Sequence, residues 1–266
     1  MTIHFSSLND LLVFQVYFRE ESKMSTMVKN LQRSGALAFY ATYPAFTLCF
    51  LLFVLSAVVL FIAVPQSNQF LFVNRLHHPI GDAAFQYITY GGDGLFMLLL
   101  AVILLFVRFK YVVYSIACFV LTGLVAQVIK RATKLPRPAK VFAGTHDIHL
   151  PQDCVVHFHN SFPSGHTTTA FAMMALLYYL FPNQRNSPFL FVMALLVGYS
   201  RIYLVQHFPQ DVCAGAVIGS LLTFLLIWWF DSSSLFKAGW ADRRLHISVA
   251  RCKPAESVST RINPVD

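Results

Sequence analysis

The chain has 266 residues, 56% of them hydrophobic and 12% charged, with a formal net charge of +8. Soluble domains carry about 25% charged residues, so this composition lacks the polar surface that a water-borne fold needs. The placement of the positive charge also excludes a nucleic-acid patch. Basic residues gather in 1–40 (Arg19, Lys23, Lys29, Arg33), in short turns (Arg108, Lys110, Arg185) and in the tail from Lys237 to Arg261. The positive-inside tendency assigns such positions to the cytoplasm.

Taken in chain order, residues 1–40 hold a short apolar stretch, Leu11–Phe18, that meets Arg19, Glu20 and Glu21 with no small-residue cleavage site. They read as a retained cytoplasmic or interfacial segment. Six apolar segments follow, at about 43–64, 86–107, 111–132, 166–182, 188–207 and 210–230. Tyr43–Val64 carries no charge, and Asp211–Phe230 carries none after its first residue. A helix needs about 20 apolar residues to cross a hydrocarbon core, so both are spanning candidates. The second segment is interrupted by Gly91-Gly92-Asp93-Gly94; either it starts near Ala84, or 79–90 forms a separate interfacial helix.

The predicted fold is all-α: a polytopic membrane bundle of about six helices over 41–232, followed by a flexible cytoplasmic tail, 233–266. With both termini inside, the 65–85 segment, the long loop 133–165 and the turn near 207–210 face outward. Cys49, Cys118 and Cys213 fall in apolar segments, Cys252 in the tail and Cys154 in the polar loop. Their spacing makes neither a disulfide framework nor a paired zinc motif.

Three polar clusters fall at the outward helix ends. In "KRATKLPRP", Lys130 and Arg137 stand close to hydrocarbon, where charge is costly. Taken alone they are equally snorkelling anchors or an anion site, since an ammonium and a planar guanidinium both suit phosphate oxygens. In "FPSGH", Ser164 is a natural N-cap, Gly165 permits close backbone approach and the helix N-terminus favours an anion. Capping leaves His166 unexplained, and an imidazole there suits proton transfer. In "SRIYLVQHFPQD", His207 and Asp211 are four apart, which lets the carboxylate hold one imidazole nitrogen and leave the other as nucleophile or base. Arg201 lies six residues before that histidine.

Together, Lys130-x6-Arg137-Pro138, Pro163-Ser164-Gly165-His166 and Ser200-Arg201-x5-His207-x3-Asp211 resemble the three-part signature of the type 2 phosphatidic acid phosphatase and vanadium haloperoxidase superfamily. The resemblance covers roughly residues 43–230. It implies His207 as a nucleophile forming a phosphohistidine, Asp211 as its orienting partner and His166 as the acid for the leaving oxygen. Lys130, Arg137, Arg201, Ser164 and Gly165 would then hold the phosphoryl oxygens. It implies no cofactor and no metal, since three cations and a helix terminus perform the charge stabilisation that Mg²⁺ supplies in kinases.

The resemblance implies a lipid phosphatase of the bacterial inner membrane, its site facing the periplasm and its partner a lipid phosphate. Undecaprenyl pyrophosphate is the first expectation. Phosphatidic acid, phosphatidylglycerophosphate and lipid A phosphate are alternatives, as is a lipid phosphotransferase using the same histidine chemistry. The loop 141–162 carries His146, His149, His157 and His159, whose spacing matches no standard metal site and which could contact headgroups. The stretch Tyr87–Gly94 reads as lipid entry or as core. A reporter fused after Phe230 should read cytoplasmic in a topology assay; a periplasmic reading would invert the whole arrangement.

Overall fold

The computed structural model describes residues 44–152, 154–181, 187–237 and 239–245. The segment 1–40, and the tail beyond Leu245, lie outside the described residues. Described secondary structure is helical throughout: α1 (Pro44–Ala63), α2 (Gln66–Arg75), α3 (Pro79–Ile88), a 3-10 turn (Thr89–Gly92), α4 (Gly94–Leu104), α5 (Phe109–Thr133), the single turn α6 (Pro138–Val141), α7 (Gly165–Leu180), α8 (Ser187–Tyr203), α9 (Pro209–Ser232) and a 3-10 turn (Ser234–Lys237).

Every predicted apolar segment coincides with a helix or helix pair. Stretches of α1, α5 and α9 are long and apolar enough to cross a membrane, and the α3–α4 pair makes a fourth span if counted as one. At 16 and 17 residues, α7 and α8 are about 24–26 Å long. Large side chains such as Leu51, Leu55, Val59 and Ile62 on α1 stay exposed, as lipid-facing positions do in an integral membrane protein.

The second predicted segment is redrawn. The chain bends by 52° between α3 and α4. Asp93 takes an extended conformation and its carboxylate accepts from the Leu95 amide, which starts a new helix at Gly94.

At the centre stands α7, packed against α9, α8 and α5. It is buried on all sides (Phe171, Ala172, Met173, Ala175, Leu176 and Tyr178 among others), as a helix enclosed by helices must be. Gly215 and Gly219 on α9 permit its close approach. A Cβ on Gly215 would lie 2.7 Å from the Ser164 carbonyl oxygen, and one on Gly219 would run into the Thr168 carbonyl. At the far end of the bundle, Asp231 of α9 accepts from the hydroxyls of Tyr114 on α5 and Tyr179 on α7, each at 2.6 Å. A partly buried carboxylate at the end of an apolar helix is satisfied by such partners.

At the same end, residues 239–245 pack against the turn between α4 and α5. The amides of Phe109 and Lys110 donate to the carbonyls of Arg243 and Ala241, and that of Leu245 to the carbonyl of Leu105. Asp242 pairs with Arg108 at 3.2 Å and Lys110 at 3.4 Å. This segment gives acceptors to backbone donors at the start of α5 and a carboxylate to the two cations beside them.

Candidate active site

The opposite end of α7 is where the three clusters meet. Ser164 caps the helix: its hydroxyl accepts from the Thr167 amide at 3.4 Å and from the Thr167 hydroxyl at 2.9 Å. The Ser164 carbonyl accepts from Thr168 Oγ1, and the Ser164 amide donates to the Asp211 carbonyl at 3.0 Å. That last bond ties the start of α7 to the start of α9. The preceding Phe162–Pro163 peptide is cis. Gly165 keeps the terminus open, and a Cβ placed there would sit 3.6 Å from Lys130 Nζ.

The His207–Asp211 pair does not arise as the sequence predicts. The two residues are not neighbours on one helix, because α8 stops at Tyr203 and α9 begins at Pro209. Between them the chain folds back so that the amides of Gln206 and His207 both reach the Arg201 carbonyl, at 3.0 and 3.1 Å. Val205 takes φ +60 to make this reversal. A β-branched residue in the left-handed region is strained, and its burial among Phe70, Phe142 and Phe208 holds it there. Asp211 then reaches backwards. Its Oδ2 accepts from the Phe208 amide at 2.8 Å and from the Ser161 hydroxyl at 2.5 Å. The same oxygen lies 3.5 Å from His207 Nδ1, longer than a hydrogen bond, and that nitrogen has no other partner.

Arg137 and Arg201 are buried, and Lys130 is half-buried. Arg137 is oriented by neutral oxygens: its Nε donates to the His159 carbonyl at 2.9 Å, and its Nη1 to Gln206 Oε1 at 2.9 Å and the Gln206 carbonyl at 3.2 Å. Arg201 Nη1 donates to Thr89 Oγ1 at 2.7 Å, while its Nε is buried with no partner among the described residues. All three cations lie within electrostatic reach of His207, and Lys130 and Arg137 within reach of the Asp211 carboxylate. His166 is close enough to feel all three cations, and His207 feels His166. All eight residues singled out in the sequence therefore converge on one place.

Among the described residues, three buried or half-buried cations face Asp211, with Asp93 within reach of His166, and leave an excess of positive charge poorly exposed to solvent. Such an arrangement favours an anion. Burial, the three cations and His166 push His207 well below the ordinary imidazole range, so the ring is neutral and its lone pair is available. A neutral imidazole beside a cationic cradle and a helix N-terminus is an arrangement able to attack a bound anion.

Two contributors escaped the sequence reading. Ser161 is a hydroxyl two residues before the cis proline, with no pattern to single it out. Gln206 lies unnoticed inside the "SRIYLVQH" run. Their signal is a polar side chain flanking a motif, too common to be selective.

The loop 141–162 is pinned over this end. Asn74 of α2 bonds both the amide and the carbonyl of His149, and His149 Nε2 meets Asp82 Oδ2 of α3 at 2.8 Å. Lys140 Nζ meets His159 Nε2 at 2.8 Å, and His146 meets the Thr145 hydroxyl. His157 lies near the three cations, and partial desolvation together with those cations holds its pKa below the usual value.

The sequence profile of the PAP2 superfamily matches residues 111–234. Undecaprenyl-diphosphatase BcrC of Bacillus subtilis is 31% identical over 163 residues, which cover 58% of this chain and 78% of that protein. The chain belongs to the PAP2 superfamily. Another PAP2 relative, the lipid A 1-phosphatase of Rhizobium etli, is 34% identical over 119 residues, 42% of this chain. The chain spans about half the length of that phosphatase (49%). The crystal structure of Aquifex aeolicus LpxE aligns with a TM-score of 0.54 at 31% identity, covering 60% of this chain and 93% of that one.

The depressed pKa of His207 has a thermodynamic consequence. In the unfolded chain a histidine takes up a proton near pH 6.5; in the fold His207 stays neutral to lower pH. Its contribution to stability is therefore complete above about pH 6.5 and is lost as pH falls towards the folded value. Thermal unfolding in detergent should show a smaller drop between about pH 7.5 and pH 5 for His207→Asn than for the wild type. Equal drops would contradict a neutral buried imidazole.

Proposed function

We propose that this protein is a membrane lipid phosphatase acting through a phosphohistidine at His207. The observation that carries the proposal is the buried, neutral His207 facing a cluster of three cations whose orienting partners are mainly uncharged. His207 Nε2 attacks phosphorus, and the P–O bond to the leaving lipid oxygen breaks. Asp211, already held by Ser161 and the Phe208 amide, moves the short distance to Nδ1 as the ring becomes cationic. His166 gives its proton to the leaving oxygen and then takes one from the water that cleaves the P–N bond. Lys130, Arg137, Arg201 and the N-terminus of α7 stabilise the charge spread over the transferring group, with the Ser164 proton directed at one oxygen.

The substrate we propose is undecaprenyl pyrophosphate first, with phosphatidic acid, phosphatidylglycerophosphate and lipid A phosphate as alternatives. The similarity to an undecaprenyl-diphosphatase over most of that protein's length supports this order, and the lipid A phosphatase relative supports the last alternative. The topology proposed is six spans, with both termini inside and the site at the periplasmic face of the inner membrane. Among the described residues, Arg108, Lys110, Arg243 and Arg244 support it, because they lie at the end of the bundle away from the cations of the site.

Purified protein should release inorganic phosphate from undecaprenyl pyrophosphate in the presence of EDTA, and His207→Ala should abolish release. Removing a single phosphoryl-oxygen donor, as in Arg201→Ala, should lower the rate about 10²–10³-fold. Release that survives His207→Ala would refute the nucleophile. Release that diverts to a new phospholipid on adding an acceptor alcohol would identify a phosphotransferase instead.

A further inference from the structure

The bend between α3 and α4 contributes directly to the site. A 3-10 turn at this depth leaves backbone groups outside the helical ladder, which lipid does not tolerate; such breaks persist where protein covers them or where they line a cavity. Here the turn is wedged into the bundle. A Cβ on Gly92 would lie 2.5 Å from the His166 carbonyl oxygen and 2.7 Å from Val197 Cγ1 of α8. One on Gly91 would lie 3.2 Å from Val197 Cγ2, and one on Gly94 only 2.7 Å from Phe119 Cζ of α5. Lacking side chains, these glycines let the broken segment touch the first turn of α7, the middle of α8 and the face of α5.

That insertion delivers one side chain to the phosphate cradle. Thr89, buried in the turn, accepts from Arg201 Nη1 at 2.7 Å. A guanidinium is a planar fork, so anchoring one corner sets the direction of the remaining N–H groups. The acceptor is also neutral. A carboxylate in this position would anchor Arg201 as well, but would cancel the charge that an anion needs. Arg201 Nε, buried and without a partner among the described residues, is left to an incoming oxygen.

We propose that Thr89 is a positioning residue for the phosphoryl transfer: it holds the Arg201 fork towards the phosphoryl oxygens without neutralising it, and the α3–α4 break exists to place it there. This inference rests on the phosphatase reading, in which Arg201 binds the transferring group. Because that group gains its strongest contacts to the cradle in the transition state, loss of the anchor acts on kcat more than on KM.

The test compares full-length wild type, Thr89→Val and Thr89→Ser in the same detergent, reading kcat and KM on undecaprenyl pyrophosphate and, separately, the affinity for orthovanadate as a phosphate-site probe. Leaving the Arg201 donor buried and unpaired should lower kcat and vanadate affinity about ten- to a hundredfold in Thr89→Val, with KM changed less than about threefold. Thr89→Ser, which keeps the hydroxyl, should recover both to within about threefold of wild type. Thr89→Val indistinguishable from wild type, or Thr89→Ser as impaired as Thr89→Val, overturns the assignment. If Thr89→Val does not fold, Thr89→Ser decides alone: near-wild-type values support the anchor and an impaired enzyme refutes it. A wild type that binds orthovanadate but turns over no lipid phosphate refutes the phosphatase reading, and the vanadate affinities then decide the role of Thr89. A wild type without vanadate affinity overturns both.

Discussion

The rest of the structure depends on an imbalance of charge. Lys130, Arg137 and Arg201 surround His207, and the carboxylate that answers them is that of Asp211. Like charges held together away from water repel strongly, and each also carries a desolvation penalty. The fold bears this cost by rigid orientation. Arg137 is locked by the His159 carbonyl and by Gln206, Arg201 by Thr89, and Asp211 by Ser161 and the Phe208 amide. Most of these partners are neutral, so they fix direction while leaving the positive field intact. A preorganised field of this kind is the main source of transition-state stabilisation for a transferring phosphoryl group.

The bundle serves to keep that arrangement in register. α7 brings its capped N-terminus to the cations, and the glycines of α9 allow the two helix starts to be joined through the Ser164 amide and the Asp211 carbonyl. At the other end, Asp231 gathers hydroxyls from α5 and α7. α7 and α9 are thus tied at both ends, and α5 joins them at the far one. Displacement of one relative to another would open a buried polar contact at either end. The loop 141–162 adds a third constraint, since its residues 158 and 159 supply backbone carbonyls to Arg137 and its His149 is strapped to α2 and α3.

How much of this the sequence disclosed follows from the range of the interactions. Helix positions were legible because apolar length and charge-free runs are local properties. The eight candidate residues that the fold brings together are legible because they sit within three short motifs. What was not legible depends on contacts distant in the chain. The bend at Asp93 looked like an uncertain helix start, since only the fit of Gly92 against His166 shows why the break is kept. The spacing of His207 and Asp211 implied a shared helix face, whereas the pair is made by a turn through Val205 and a backward reach at the start of α9. Ser161, Gln206 and Thr89 act on partners 50, 69 and 112 residues away, beyond any local pattern. The contacts of residues 239–245 are not legible because their composition is that of a tail, and their partners are backbone groups and two cations at the α4–α5 turn.

The central claim is that the buried neutral imidazole of His207 takes the phosphoryl group. The most direct measurement is rapid quenching of the enzyme during turnover, under alkaline conditions that preserve P–N bonds, followed by mass spectrometry of the peptide spanning Arg201 and Asp211. The account predicts an acid-labile phosphoryl group on His207 that accumulates when the water step is slowed and is absent from His207→Ala. Phosphate release at the full rate with His207 never labelled, or a label carried by His166 instead, would contradict it.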